Sequence, residues 1–178
     1  MEIIEQILLH LYNSVDYGFS YTAKKKFGLL EYFDHWNSKV KKDDYKKVIR
    51  ELDRSKLIKK KKDYDGSIII SLTEKGRLRA LNISFKRFSE RKEKWDGKWR
   101  MIVFDIPNQY KKGRDALRYR MKNGGFYMLQ DSVFLYPYDC EKEIKALVDL
   151  FKLQKYVRFG VLDFIDNEEQ IKRKFKLY

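Results

Sequence analysis

The stretch WDGKWRMIVFDIP, Trp95 to Pro107, ends an apolar run on a carboxylate, Asp105, with Ile106 and Pro107 directly after it. A carboxylate there can serve as an oxygen ligand for a hard divalent cation such as Mg²⁺ or Mn²⁺. It can equally accept backbone hydrogen bonds where a strand gives way to a turn. The other carboxylates of this half, Asp115, Asp131 and Asp163, have no spacing that gathers them around Asp105. One carboxylate per chain makes a weak site, because Mg²⁺ prefers octahedral oxygen coordination and metal-dependent nucleases usually supply several acidic ligands. Two copies of Asp105 across a two-fold axis could share an ion, with water and phosphate filling the remaining positions. The expectation is therefore no catalytic residue and no cofactor. Asp105 as a metal ligand, with Mg or Mn as cofactor, stands as the alternative.

Other reactive side chains are few. Cys140 is the single cysteine, which excludes an internal disulfide framework and a cysteine-based zinc site. It is expected to pack at the start of a helix rather than react. His10 and His35, the two histidines, sit among apolar or aromatic neighbours and read as packing or surface residues.

Charge is the stronger signal. Among 178 residues, 40 Lys and Arg stand against 26 Asp and Glu, a formal net charge of +14. Such an excess favours a polyanionic partner, since each phosphate neutralised by Lys or Arg releases condensed counterions. Double-stranded DNA is the partner expected. The cations form rows: Lys46, Lys47, Arg50 and Arg54; then Lys59, Lys60, Lys61 and Lys62; then Lys111, Arg114, Arg118 and Lys122. The 43% hydrophobic share, with 16% aromatics, is enough for packed cores and excludes a disordered chain. The opening MEIIEQILLHLY is interrupted by Glu2, Glu5 and Gln6 and falls short of the roughly 20 apolar residues that span a bilayer. No membrane partner is expected, and the location expected is cytoplasmic.

The elements that must carry these rows differ between the two halves. Ile3, Ile4, Ile7, Leu8 and Leu11 recur at helical spacing and predict an amphipathic first helix ending near Asn13. Tyr17 to Ser38 is compatible with one or two further helices broken near Gly28. In KKDDYKKVIRELDRSKLI, Asp43 or Asp44 can cap a helix whose buried stripe is Tyr45, Val48, Ile49 and Leu52. LIKKKKD, a turn at Asp65 and Gly66, and SIIISLT then read as a hairpin, and Thr73 caps a helix over EKGRLRAL. Helices, a basic hairpin and a further helix in this order form the pattern of a winged helix-turn-helix. In that arrangement the helix before the hairpin enters the major groove and the lysine-rich hairpin, or wing, lies along the phosphates.

The charged connector from Ser84 to Lys94 continues the preceding helix, and the Asp96-Gly97 turn marks a boundary. Beyond it, RMIVFDI reads as a strand, YKKGRDALRYRMKN as a helix, and FYMLQ and SVFLY as strands. EKEIKALVDLFKL follows as a helix and YVRFGVLDFI as a strand, giving the split βαββαβ order. The first strand carries Ile102, Phe104 and Ile106 on one face and Met101, Val103 and Asp105 on the other, so it is central. Two helices can cover one face, and a second subunit could cover the other. The first helix buries Tyr110, Gly113, Leu117 and Met121. Its row Lys111, Arg114, Arg118 and Lys122 is either a solvated face or a nucleic-acid contact. Gln130 and Ser132 are expected to fix the junction between the second and third strands. Trp95 and Trp99, flanking the turn, are expected to pack the two domains together.

WDGKWRMIVFDIP, followed by RDALRYRMKNGGFYMLQDSVFLYPYDCEKEI, closely resembles the central domain of PaaX-type transcriptional regulators. The residues that carry the resemblance are Trp99, Asp105, Pro107, Arg114, Gly125, Phe126, Gln130, Ser132 and Val133. That domain shares its fold with the small endonuclease of the CRISPR spacer-acquisition complex, the second Cas protein. LTEKGRLRAL resembles the PaaX-type winged-helix domain. The resemblance implies an operator-binding homodimer. For the nuclease branch it implies a metal held by two copies of the aspartate matched by Asp105. The sequence ends at Tyr178 without the extra C-terminal domain of the longer thioester-responsive regulator, so the effector ligand is left unnamed.

Together these readings predict an α+β chain. A winged helix-turn-helix over 1–84, a charged helical connector and turn over 85–97, and a ferredoxin-like βαββαβ dimerisation domain over 98–178 make it up. The function expected is a homodimeric DNA-binding transcriptional regulator, a repressor, with enzymatic activity left open. The alternative is a metal-dependent CRISPR-associated endonuclease or a structural subunit of a spacer-integration complex.

Overall fold

The computed structural model describes residues 3–15, 42–62, 64, 68–90 and 94–177. The helices expected between Tyr17 and Ser38, His35 and the hairpin turn at Asp65 and Gly66 lie outside the described residues. So do the side chains of Asp43, Asp44 and Tyr45. The chain divides into two compact units, Met1–Ile83 and Ser84–Tyr178.

In the first unit, α1 (Ile3–Val15) buries Ile7, Leu8 and Leu11, the stripe that helical spacing predicts. Helix α2 (Lys42–Arg54) buries Leu52 and half-buries Val48 and Ile49. It begins at Lys42, so Asp43 and Asp44 are its second and third residues rather than its cap. Acidic residues in a first turn still complement the helix dipole. The chain leaves α2 through Lys56, at a φ of 55°. Strands β1 (Ile58–Lys62) and β2 (Ile68–Leu72) then pair antiparallel, with Ile58 opposite Leu72 and Lys62 opposite Ile68.

Helix α3 (Glu74–Phe88) starts as expected at Thr73, whose Oγ1 accepts the Gly76 N–H at 3.1 Å. The Thr73 N–H donates to the Leu57 carbonyl at 3.0 Å, tying this helix start to the strand entrance. Gly76 is what lets the two approach: a Cβ there would lie 2.0 Å from the Leu57 oxygen.

The second unit holds a four-stranded antiparallel sheet in the order β4-β5-β3-β6. Its elements are β3 (Trp99–Phe104), a 3₁₀ turn (Asn108–Tyr110), α4 (Lys111–Asn123), β4 (Tyr127–Gln130), β5 (Val133–Tyr136), α5 (Glu141–Leu150), β6 (Val157–Leu162) and α6 (Glu168–Phe175). The βαββαβ order predicted from sequence is present, with β3 central between β5 and β6. On one face Ile102, Phe104, Phe134 and Tyr136 are buried with Leu117 and Met121 of α4 and Ile144 and Leu147 of α5. Cys140, buried, stands at the N-cap of α5.

The other face corrects one expectation. Sequence periodicity left it for a second subunit, but the chain supplies a further helix of its own: Ile171 of α6 is buried with Trp99 and Leu135, and Phe175 and Leu177 pack around them. The tryptophans contribute to this packing within the second unit. Trp95 packs on Trp99 with ring centroids 4.9 Å apart, and the Trp99 indole donates to Glu168 Oε2 at 3.1 Å, all within Ser84–Tyr178. Their apolar bodies were needed by α6, an element that the sequence reading did not include. Beyond the reach of α6, Val103 and Val133 remain half-buried on this face.

Candidate nucleic-acid interface

Lys59, Lys60, Lys61 and Lys62 are all exposed, because the two-stranded hairpin buries only its entrance, Ile58 and Leu72. Cross-strand register divides them. Lys60 shares a face with Ile58, and its Nζ meets Asp53 Oδ2 of α2 at 2.7 Å. Lys59, Lys61 and Lys62 have no ion pair or hydrogen bond of the side chain among the described residues. Asp53 is therefore a site residue that sequence reasoning missed. The signal was present in principle, since α2 and the hairpin follow one another and an acid on one can reach a base on the other.

On α2, Lys46, Lys47, Arg50 and Arg54 are exposed, and Arg50 Nε donates to its own helix at the Lys46 carbonyl, 3.2 Å away. Lys47, Arg50, Glu51 and Arg54 line a shallow groove of about 440 Å³. A cationic groove on a helix surface can hold phosphate oxygens or solvent, and Glu51 makes its sign mixed.

The row on α4 is different. Arg114 Nη1 donates to the Ile106 carbonyl and to Asn108 Oδ1, each at 3.1 Å, and Arg118 Nη2 reaches Asp131 Oδ1 at 2.9 Å. Both guanidinium groups hold the connections flanking the sheet. Lys111 and Lys122, the ends of the row, are exposed. Sequence reading did not single out Lys112, Lys152 or Lys155, which are also exposed.

Asp105 follows β3 directly. Its N–H donates to the Tyr156 carbonyl at 3.0 Å, and the preceding Phe104 N–H to the Ser132 carbonyl at 3.0 Å. Ser132 thus fixes the strand junction through its backbone, while Gln130 ends β4 exposed. The Asp105 side chain is exposed and accepts none of these bonds. No group of three His, Cys, Asp or Glu that could hold a metal ion occurs among the described residues. A divalent cation bound at Asp105 of one chain would lack its other protein ligands.

Electrostatics elsewhere is structural. Arg100 grips Asp96 with two hydrogen bonds of 2.7 Å and holds its carboxyl well below the usual range, at about 2. Glu168 is lowered by Lys172 and then by the Trp99 indole. Burial pushes His10 below its ordinary value, as packing rather than surface placement requires. No helix of the described residues is long and apolar enough to cross a membrane.

Comparison with known proteins adds one match. Residues 92–173 fit the family model described as the PaaX protein central Cas2-like domain. No curated protein and no solved structure matches the chain.

Proposed function

We propose, from the match of residues 92–173 to the PaaX central Cas2-like domain, that the chain is a homodimeric DNA-binding transcriptional regulator, a repressor. The observation that carries this reading is the hairpin whose Lys59, Lys61 and Lys62 are exposed and without side-chain partners among the described residues, next in sequence to a helix with four exposed cations. Read as a winged helix-turn-helix, α2 enters the major groove, and Lys46, Lys47, Arg50 and Arg54 contact its walls. The hairpin lysines meet phosphates and supply salt-dependent affinity rather than base reading. Lys60 acts at one remove: paired with Asp53, it neutralises an acid that would repel the DNA and holds the wing against α2. The second unit joins two copies through the part of its sheet that α6 leaves uncovered, around Val103 and Val133, so that two modules read two half-sites.

A second reading is favoured by one observation, the exposed Asp105 carboxylate with no partner among the described residues. Under it, two copies of the chain form a divalent-metal-dependent endonuclease or the inert core of an integration complex. One preparation separates the two readings. A gel shift on duplex DNA, with parallel incubations of DNA and RNA in Mg²⁺ or Mn²⁺, is run for the wild type and for Asp105→Ala. The regulator reading predicts retarded DNA and no cleavage, unchanged by the substitution. Cleavage abolished by Asp105→Ala would replace it with the nuclease reading.

A further inference from the structure

The second unit carries more of the net charge than the first. Its 22 basic and 14 acidic residues give +8, against 18 and 12, or +6, for the first unit. A body that served only to join two copies would need no such excess, because like charges across an interface oppose association. Part of the unit's positive charge has internal partners: Arg100 on Asp96, Arg118 on Asp131, Lys145 on Glu141 and Lys172 on Glu168. Lys111, Lys112, Lys152 and Lys155 do not, among the described residues, and all four are exposed.

These four come from two segments that packing brings together. Gly113 lies so close to the loop after α5 that a Cβ would stand 3.0 Å from Phe151 Cβ and 3.1 Å from Leu153 Cδ1. Tyr110 and Tyr156 pack beside this contact with ring centroids 5.2 Å apart. The loop bearing Lys152 and Lys155 is fixed: Leu153 N–H donates to the Val148 carbonyl at 2.8 Å, and the Arg158 guanidinium donates to the carbonyls of Gln154, Lys155 and Val157. The nearby Asp149 carboxylate accepts from the Gln154 amide at 2.8 Å.

Folding alone does not account for cations at these places. Lys111 and Lys112 open α4, where the helix dipole disfavours positive charge, and no acid stands in that first turn. Basic residues in the last turns of α3 and α6 have the opposite, favourable sign and need no partner to explain them. Lys152 adopts a φ of 56°, a conformation that glycine would take with less strain.

We propose that Lys111, Lys112, Lys152 and Lys155 form a second contact for the phosphate backbone of duplex DNA, carried by the Cas2-like unit and independent of the wing. This inference rests on the DNA-binding reading above. A contact of this kind recognises charge and spacing, not base sequence, so it strengthens binding to every duplex alike.

The test compares three full-length proteins on a long random-sequence duplex, by fluorescence anisotropy over a series of salt concentrations. They are the wild type, a wing variant (Lys59→Ala, Lys61→Ala, Lys62→Ala) and a patch variant (Lys111→Ala, Lys112→Ala, Lys152→Ala, Lys155→Ala). The slope of log affinity against log salt should become shallower by about 0.9 for each lysine that meets a phosphate, so by roughly 2 to 4 in the patch variant. Its melting temperature should be unchanged or raised. A milder variant, Lys112→Gln with Lys155→Gln, should show about half the change in slope and guards against a folding defect in the larger one. If the patch variants keep the wild-type slope while the wing variant loses slope, this inference is overturned and the winged-helix reading stands. If only the patch variants lose slope, the wing contact is overturned and the patch stands. No DNA binding by the wild type overturns both.

Discussion

Lys59–Lys62 on β1 and the Lys111, Arg114, Arg118, Lys122 row on α4 are each four cations long in the sequence, yet they keep different amounts of charge for a partner. On the hairpin the lysines are exposed, and among the described residues only Lys60 finds an acid, Asp53 on the neighbouring helix. On α4, the middle of the row is consumed: Arg114 holds the Ile106 carbonyl and Arg118 holds Asp131. The difference follows from the elements. A two-stranded hairpin offers its outward side chains few neighbours, whereas a helix packed on a sheet runs past the loops between strands, where an arginine fork finds carbonyls and carboxylates. Repeated charge in a sequence therefore reports potential, and the packing layer beside it decides how much of that potential faces outward.

The largest effect is expected beneath the hairpin. Gly76→Ala places a methyl group into the Leu57 carbonyl and should destabilise the first unit by about 3 kcal/mol, at the upper end for overpacking. Thermal unfolding followed by circular dichroism should show a low-temperature transition, and DNA binding should fail above it. A variant as stable as wild type would mean that the approach of helix and hairpin is looser than drawn.

Next in size is removal of the exposed hairpin charges. Replacing Lys59, Lys61 and Lys62 by Ala should lower affinity for duplex DNA roughly 10- to 100-fold at moderate salt and make the salt slope shallower by about 3. Lys60→Ala should cost less affinity than any one of these, and the charge exchange Lys60→Asp with Asp53→Lys should recover most of it, which a direct phosphate contact would not allow.

The α4 arginines should behave oppositely. Arg114→Ala should cost about 1 to 2 kcal/mol of stability through two lost charge-assisted hydrogen bonds. Arg118→Ala should cost less than about 1 kcal/mol, because Asp131 is largely exposed. Neither should alter the salt slope, and a change of one unit in either would return that arginine to the DNA-facing set.

The smallest effect concerns pH. Arg100 holds the Asp96 carboxyl at about 2, below the ordinary aspartate value, so the bond stabilises the fold above the unfolded value and is lost as pH falls through about 2. In acid titrations Asp96→Asn should remove a shallow part of the stability loss between those limits and leave neutral pH behaviour of the hairpin untouched. An unchanged acid limb would remove Asp96 from the account.

Much of the second unit was legible in the sequence because its strands are short, apolar and separated by turn residues, and because the βαββαβ order restricts topology. The helix α6 was missed although NEEQIKRKF carries acids in its first turn, bases in its last and Ile171 four residues before Phe175. A strand ending in DFI hid its start, and with it the cover for Trp99. In the candidate site, the lysine row was legible as a row, but its division by Asp53 depends on a contact between elements. The grouping of Lys111 and Lys112 with Lys152 and Lys155 depends on Gly113 packing against Phe151, across a separation that no local pattern reveals.

The central claim is that the chain binds duplex DNA through the wing. A salt titration of wild type and the Lys59, Lys61, Lys62 triple variant on one duplex tests it most directly. Tight, steeply salt-dependent binding is expected of the wild type, with a slope shallower by about 3 in the variant. Equal slopes, or no binding by the wild type at low salt, would contradict it.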